Sequence, residues 1–164
     1  MFSSIILAAG KSKRMKSKKP KVFHEIGGAP LLWYPINLLK NLKCKDINIV
    51  MNKNMKDVEN FVKNKFNGIN IIFQNNPLGT ADAVKSIMMS SRVTNFQERT
   101  LILYGDVPLL KKETIENFTK IKDPSIKIKL LAFRKKNPKN YGRLIIDDKR
   151  NLVKVVEEID ATTD

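Results

Sequence analysis

Lys11, Arg14 and Lys21 follow closely on Ala8, Ala9 and Gly10, and small residues followed by cations have a chemical reading. Small side chains let a flat ligand approach the backbone, and Gly10 can adopt backbone angles closed to other residues. Exposed amides and neighbouring cations can then surround an anion, so the segment reads as a nucleotide-phosphate loop. Gly10-Lys11-Ser12 matches the end of a Walker loop, but Ile5 stands where that motif needs its first Gly, and no GxGxxG fingerprint is present. On residue types alone, an ordinary surface turn after a strand explains Gly10 and Arg14 equally well. A second chemical candidate is Asp106, between Gly105 and Val107-Pro108. At a strand end it suits a hard oxygen ligand for Mg²⁺, which usually takes one or two protein carboxylates; the bland alternative is a turn former. Asp82 reads either as a second ligand or as an acid favoured by the dipole of a helix's first turn, and we take the second.

These residues need elements to position them. Ser4 to Ala8 reads as a first strand ending in the basic loop, and Leu31 to Leu42 as a helix with a broad apolar face that tolerates Pro35 only near its first turn. Ile47 to Met51 is a second strand, Met55 to Phe66 an amphipathic helix and Ile69 to Phe73 a third strand. After the turn-rich Gln74 to Gly79, Thr80 is an N-cap candidate for a helix reaching Met88. Thr100 to Tyr104 is strand four, Lys111 to Lys122 a charged helix with Ile115, Phe118 and Ile121 inward, and Ile126 to Phe133 strand five. Leu144 to Ile146 and Leu152 to Val156 flank a turn at Asp147-Asp148. Alternating strands and helices predict an α/β chain with a mostly parallel sheet and helices on both faces. Ligands then bind outside the carboxyl ends of the strands, where the loops after strands one, three and four can meet.

Composition narrows the class. The 164 residues suit one domain, here 1–164, and 42% hydrophobic content supports a packed core. One cysteine, Cys44, excludes an internal disulfide; it reads as a partly buried apolar residue near a helix end. No apolar run is long enough to cross a bilayer and the first residues lack signal-peptide features, so a cytoplasmic location without membrane contact is expected. The formal charge of +15 comes from 31 Lys and Arg against 16 Asp and Glu. The basic residues are mostly lysines spread along the chain, without an arginine-rich block or interleaved aromatics, which argues against nucleic acid as the main partner.

Read together, the motifs form a longer pattern. Leu7-Ala8-Ala9-Gly10 with Arg14-Met15 and Lys19-Pro20-Lys21 resembles the start of sugar-nucleotide pyrophosphorylases. Gln74 before Pro77-Leu78-Gly79-Thr80-Ala81, then Tyr104-Gly105-Asp106-Val107-Pro108-Leu109, Tyr141-Gly142-Arg143 and Val156-Glu157 follow in that family's order. The match is strongest to the N-terminal uridylyltransferase domain of the bacterial bifunctional N-acetylglucosamine-1-phosphate uridylyltransferase and glucosamine-1-phosphate acetyltransferase, and runs from Ile5 to about Thr162.

The resemblance implies a Rossmann-like (MobA-like) nucleotidyltransferase fold. It implies formation of UDP-N-acetylglucosamine, a precursor for cell-wall peptidoglycan, and pyrophosphate from UTP and N-acetylglucosamine-1-phosphate with Mg²⁺. Leu7, Ala8, Ala9 and Gly10 would hold uridine and phosphates through the backbone, and Gln74, Gly79 and Thr80 would read the uracil and support the loop. Arg14 and Lys21 would contact phosphates as the catalytic cations and Asp106 would bind Mg²⁺. Tyr104, Gly105, Gly142 and Glu157 would meet the sugar. His24, the only histidine, has no task in that chemistry and is expected to pack a loop. Trp33 and Tyr34 are read as packing.

The family's domain continues past the position of Asp164, with an Asn for the sugar, another completing the metal site, and then a β-helix acetyltransferase domain. The chain is thus expected to lack that carboxyl part, which a partner protein could cover or complete. Ser12-Lys13 replace a usual Gly-Thr pair, and Ile159 stands where Lys is common. The alternatives are a non-catalytic binder of UTP or UDP-sugar, half of a split enzyme, or another sugar-1-phosphate or molybdenum-cofactor nucleotidyltransferase.

Overall fold

The computed structural model describes residues 2–10, 15–74, 79–91, 93, 97–120 and 123–161. Two compact units form, Met1–Lys122 and Asp123–Asp164.

The first unit is built on strands β1 (Ser3–Leu7), β4 (Ile47–Asn52), β5 (Ile69–Gln74) and β6 (Thr100–Tyr104), paired in parallel in the order β5-β4-β1-β6. Two short strands, β2 (Glu25–Ile26) and β3 (Ala29–Pro30), make a separate antiparallel pair. Strand residues alternate between faces, and two apolar clusters result. Ile6, Ala8, Ile47, Ile49, Met51, Ile71, Leu101 and Leu103 pack with residues of α1 (Trp33–Asn41), α2 (Lys56–Lys65) and α4 (Lys112–Lys120). Ile5, Ala9, Val50 and Ile72 pack instead with Ala83 and Ile87 of α3 (Thr80–Met88). Helices therefore lie on both faces, as the alternating pattern predicts. The apolar runs of β1 and β4 are buried on both sides, and that is why they lack a polar alternation of their own, whereas β6 alternates buried and exposed residues.

Pro35 falls in the first turn of α1, where its missing N–H costs nothing. Thr80 does not cap α3: Gly79 occupies the cap position with φ 118°, a conformation that glycine reaches without strain, and Thr80 is the first helical residue. Cys44 is partly buried past the end of α1, as expected, near the Ser4 hydroxyl. Trp33 and Tyr34 stack edge to face at 5.2 Å, and the Tyr34 hydroxyl donates to the Ile26 carbonyl.

The amino end of the sheet holds a buried polar seam. Asn48, fully buried, donates from Nδ2 to the Ser4 carbonyl at 3.1 Å and to Asp46 Oδ1 at 3.1 Å, while its Oδ1 accepts from Asn70 Nδ2 at 3.0 Å. These bonds tie β1, β4 and β5 across their register. Asn48→Ala removes the partner of several interior polar groups at once, each worth about 1–3 kcal/mol when left unmet. A loss of about 2–3 kcal/mol is expected in denaturant unfolding. An unchanged midpoint would show that the seam contributes nothing.

The second unit contains an antiparallel hairpin of β7 (Arg143–Ile146) and β8 (Leu152–Val156). Its turn is closed by Asp147, whose carboxylate accepts from Asn151 Nδ2 at 3.0 Å and from the Asn151 backbone N–H at 2.7 Å. Those two bonds, the side-chain one foremost, hold the Asp147 carboxyl below its ordinary value. The stability they lend is present above the unfolded pKa and is lost as pH falls through the lower folded one. Ile126 to Phe133 does not form the expected strand and is largely exposed. Alternating residues permit a strand, but only ladder hydrogen bonds to a neighbour make one, and this segment enters no sheet. Among the described residues no helix is long and apolar enough to cross a membrane.

Candidate active site

Strand order locates the site. From β1 the chain adds β4 and β5 on one side and then returns to place β6, still parallel, on the other, so the order of strand addition reverses between β1 and β6. A crevice opens at the carboxyl ends of the strands at such a switch point. Leu7 of β1 is in register with Tyr104 of β6, and the Gly105 N–H donates to the Leu7 carbonyl at 2.9 Å. Ala8-Ala9-Gly10 and Gly105-Asp106 therefore leave the sheet side by side. On the other flank of β1 the Ala8 N–H donates to the Val50 carbonyl at 2.8 Å, so the start of the loop is fixed from both sides.

Packing explains one glycine here and leaves the other open. A Cβ at Gly105 would lie 3.2 Å from the Leu7 carbonyl oxygen, from Leu32 Cδ1 and from Val22 Cγ1. The backbone oxygen cannot give way, so close approach of β6 to β1 requires Gly at this point. A Cβ at Gly10 meets nothing within 4 Å, and its φ is not in the left-handed region. The special backbone angles expected of Gly10 are not used.

Lys21 lies in the short 3₁₀ turn Lys21–Phe23 and reaches the same rim. Its Nζ is 2.6 Å from Asp106 Oδ2, an ion pair joining the basic segment to the end of β6. Both side chains are partly exposed, which leaves them within reach of a ligand. His24 Nε2 lies 3.2 Å from the Lys19 carbonyl, a loop contact consistent with a packing role. Arg14 lies outside the described residues.

At the carboxyl end of β5, Gln74 is buried and its Nε2 donates to Asp82 Oδ2 at 2.5 Å. Asp82 does sit in the first turn of α3, as the sequence suggests, but its carboxylate is also spent on an amide that no sequence pattern indicated. Gly79 and Thr80 begin the same helix and are exposed. In the second unit the hairpin register sets Arg143 against Val156, which brings Gly142 next to Glu157: a Cβ at Gly142 would lie 3.8 Å from Glu157 Oε2. Tyr104 is exposed at the end of β6.

The metal candidate can be tested on its donors. Among the described residues no group of three or more His, Cys, Asp and Glu could form a protein cage. Asp106 offers a hard carboxylate beside the end of β1, which fits Mg²⁺ shared between one protein carboxylate and substrate phosphates.

Strand order and switch point define a doubly wound α/β sheet of the nucleotide-binding kind. The chain belongs to the MobA-like NTP transferase domain family, whose pattern matches residues 4–136. It is 42% identical over 160 residues to the bifunctional protein GlmU of Buchnera aphidicola subsp. Baizongia pistaciae, covering 96% of this chain and 34% of that protein. GlmU of Clostridioides difficile is 35% identical over 164 residues, again with 34% of its length covered. The chain thus spans about a third of the length of these curated relatives, and the resemblance read from the motifs is borne out. Among solved structures, the inositol-1-phosphate CTP transferase from T. maritima superposes with a TM-score of 0.75 at 22% identity, covering 98% of this chain and 66% of that one. HddC from Yersinia pseudotuberculosis, complexed with GMP-PN, gives 0.67 at 20% identity, with 96% and 69% covered. These two share the fold.

Proposed function

We propose that this domain transfers a uridylyl group from UTP to N-acetylglucosamine-1-phosphate, giving UDP-N-acetylglucosamine and pyrophosphate with Mg²⁺ as cofactor. The reading is supported by the Lys21–Asp106 ion pair, which together with the Gly105–Leu7 hydrogen bond brings a cation and a carboxylate to the end of β1, where the Ala8-Ala9-Gly10 turn begins. The motif order of the sequence adds the choice of nucleotide and sugar.

A sugar phosphate is already an anionic nucleophile. Its oxygen attacks the α-phosphorus of UTP, the bond to the bridging oxygen breaks, and pyrophosphate leaves with the electron pair, so no general base is required. What the site must do is neutralise crowded negative charge while keeping attacking and leaving oxygens in line. Ala8, Ala9 and Gly10, with Leu7, present backbone to uridine and phosphates; Lys21 and Arg14 bind phosphate oxygens. Asp106 would hold Mg²⁺, which when bound neutralises phosphate charge as a Lewis acid. Gln74, Gly79 and Thr80 face the base, and Tyr104 and Gly105 take the sugar.

The test is pyrophosphate release by the purified chain with UTP, N-acetylglucosamine-1-phosphate and Mg²⁺, compared with GTP and dTTP in place of UTP. Release that depends on all three components, and is greatest with UTP, is expected. UTP binding without release at high Mg²⁺ would make the chain a nucleotide binder and refute the catalytic proposal.

A further inference from the structure

The strand order and loops of this fold do not by themselves choose a base, because the backbone at a strand's carboxyl edge accepts any nucleotide of similar shape. Choice requires a side chain whose donor and acceptor arms are fixed. Gln74 is such a side chain in principle, but a free carboxamide can rotate by half a turn and exchange its oxygen for its nitrogen at little cost. Nothing in the residue itself tells a base that offers an N–H from one that offers a lone pair.

Asp82 removes that freedom. Gln74 is 3% exposed, so bulk water cannot satisfy its amide, and its Nε2 donates to Asp82 Oδ2 at 2.5 Å. A carboxylate only accepts, so the arm of Gln74 facing Asp82 must be the NH₂. Its carbonyl is then turned away from Asp82. Asp82 is itself well anchored, in the first turn of α3, where the helix N-terminus favours an acid.

We propose that Asp82 is a positioning residue for base selection, holding the Gln74 carbonyl ready to accept from a pyrimidine that carries a ring N–H, as uracil does at N3. Cytosine presents a bare N3 lone pair at that place, and two acceptors would face each other. The inference rests on the uridylyl reading above, with Gln74 at the base.

The experiment measures dissociation constants of UTP and CTP for the wild-type chain, Asp82→Asn and Asp82→Ala, with far-UV circular dichroism as the check on folding. The ratio of the two constants is the readout. Loss of a negative charge near a triphosphate strengthens both nucleotides equally, and general loosening weakens both equally, so neither moves it. Wild type should prefer UTP by about tenfold or more, because a buried polar group built to pair rejects the analogue that cannot pair. Asp82→Asn can meet Gln74 in either orientation, and Asp82→Ala leaves it free; each should lower the preference by about tenfold. A preference that survives in both folded variants overturns the role of Asp82 and leaves the uridylyl reading standing. Failure of the wild-type chain to bind either nucleotide overturns both.

Discussion

Asp106→Asn is expected to reduce pyrophosphate release by about a thousandfold or more and to abolish its dependence on Mg²⁺, the scale of losing a principal electrostatic group at a phosphoryl centre. Asparagine keeps the shape and one oxygen but removes the charge that makes the side chain a ligand for a hard cation. The fold should survive: Asp106 pairs with Lys21 between partly exposed groups, and such a pair is worth about 1 kcal/mol at most. Activity titrated against Mg²⁺ is the measurement, with thermal unfolding alongside. Normal turnover in a folded Asp106→Asn variant would remove the metal assignment.

Lys21→Ala should lower turnover by about a hundredfold, near 3 kcal/mol, as for one lost preorganised donor. Its metal dependence should move the other way. Lys21 Nζ lies 2.6 Å from Asp106 Oδ2, so in the absence of nucleotide the ammonium and a metal ion compete for one carboxylate. With the ammonium gone, the Mg²⁺ concentration for half-maximal rate should stay level or fall, whereas in Asp106→Asn it disappears as a parameter. If Lys21→Ala instead raises the Mg²⁺ requirement steeply, the lysine serves to hold Asp106 in place and does not act on phosphate.

Much of the fold was legible because its strands are short apolar runs separated by helical periodicity. Ile47 to Met51 and Ile69 to Phe73 needed only one residue added at their ends. The meeting of Gly105 with the end of β1 at Leu7 followed from a topological rule about strand ends, not from the glycine itself. Ile126 to Phe133 failed for the opposite reason: its pattern is right, but a strand is a property of two segments and the sequence displays one at a time. Thr80 failed by one residue, because Gly79 at φ 118° turns the chain into α3 without a side-chain cap.

The candidate site divides along the same line. Small residues, a lone Asp at a strand end and a run of cations can be read as types. The ion pair of Lys21 with Asp106 and the hydrogen bond of Gln74 with Asp82 cannot, since each joins segments whose separation carries no period.

Asn48 sets a measure for everything at the far rim. Its amide locks three neighbouring strands at their amino ends, and each residue of strand advances about 3.3 Å. A slip of one position between β1 and β4 would break the Ala8 N–H to Val50 carbonyl bond that fixes the start of the loop and turn Ile49 from one cluster toward the other. Alignment at the candidate site is thus guarded by a side chain at the opposite end of the sheet, and screens confined to the nucleotide's surroundings would overlook it.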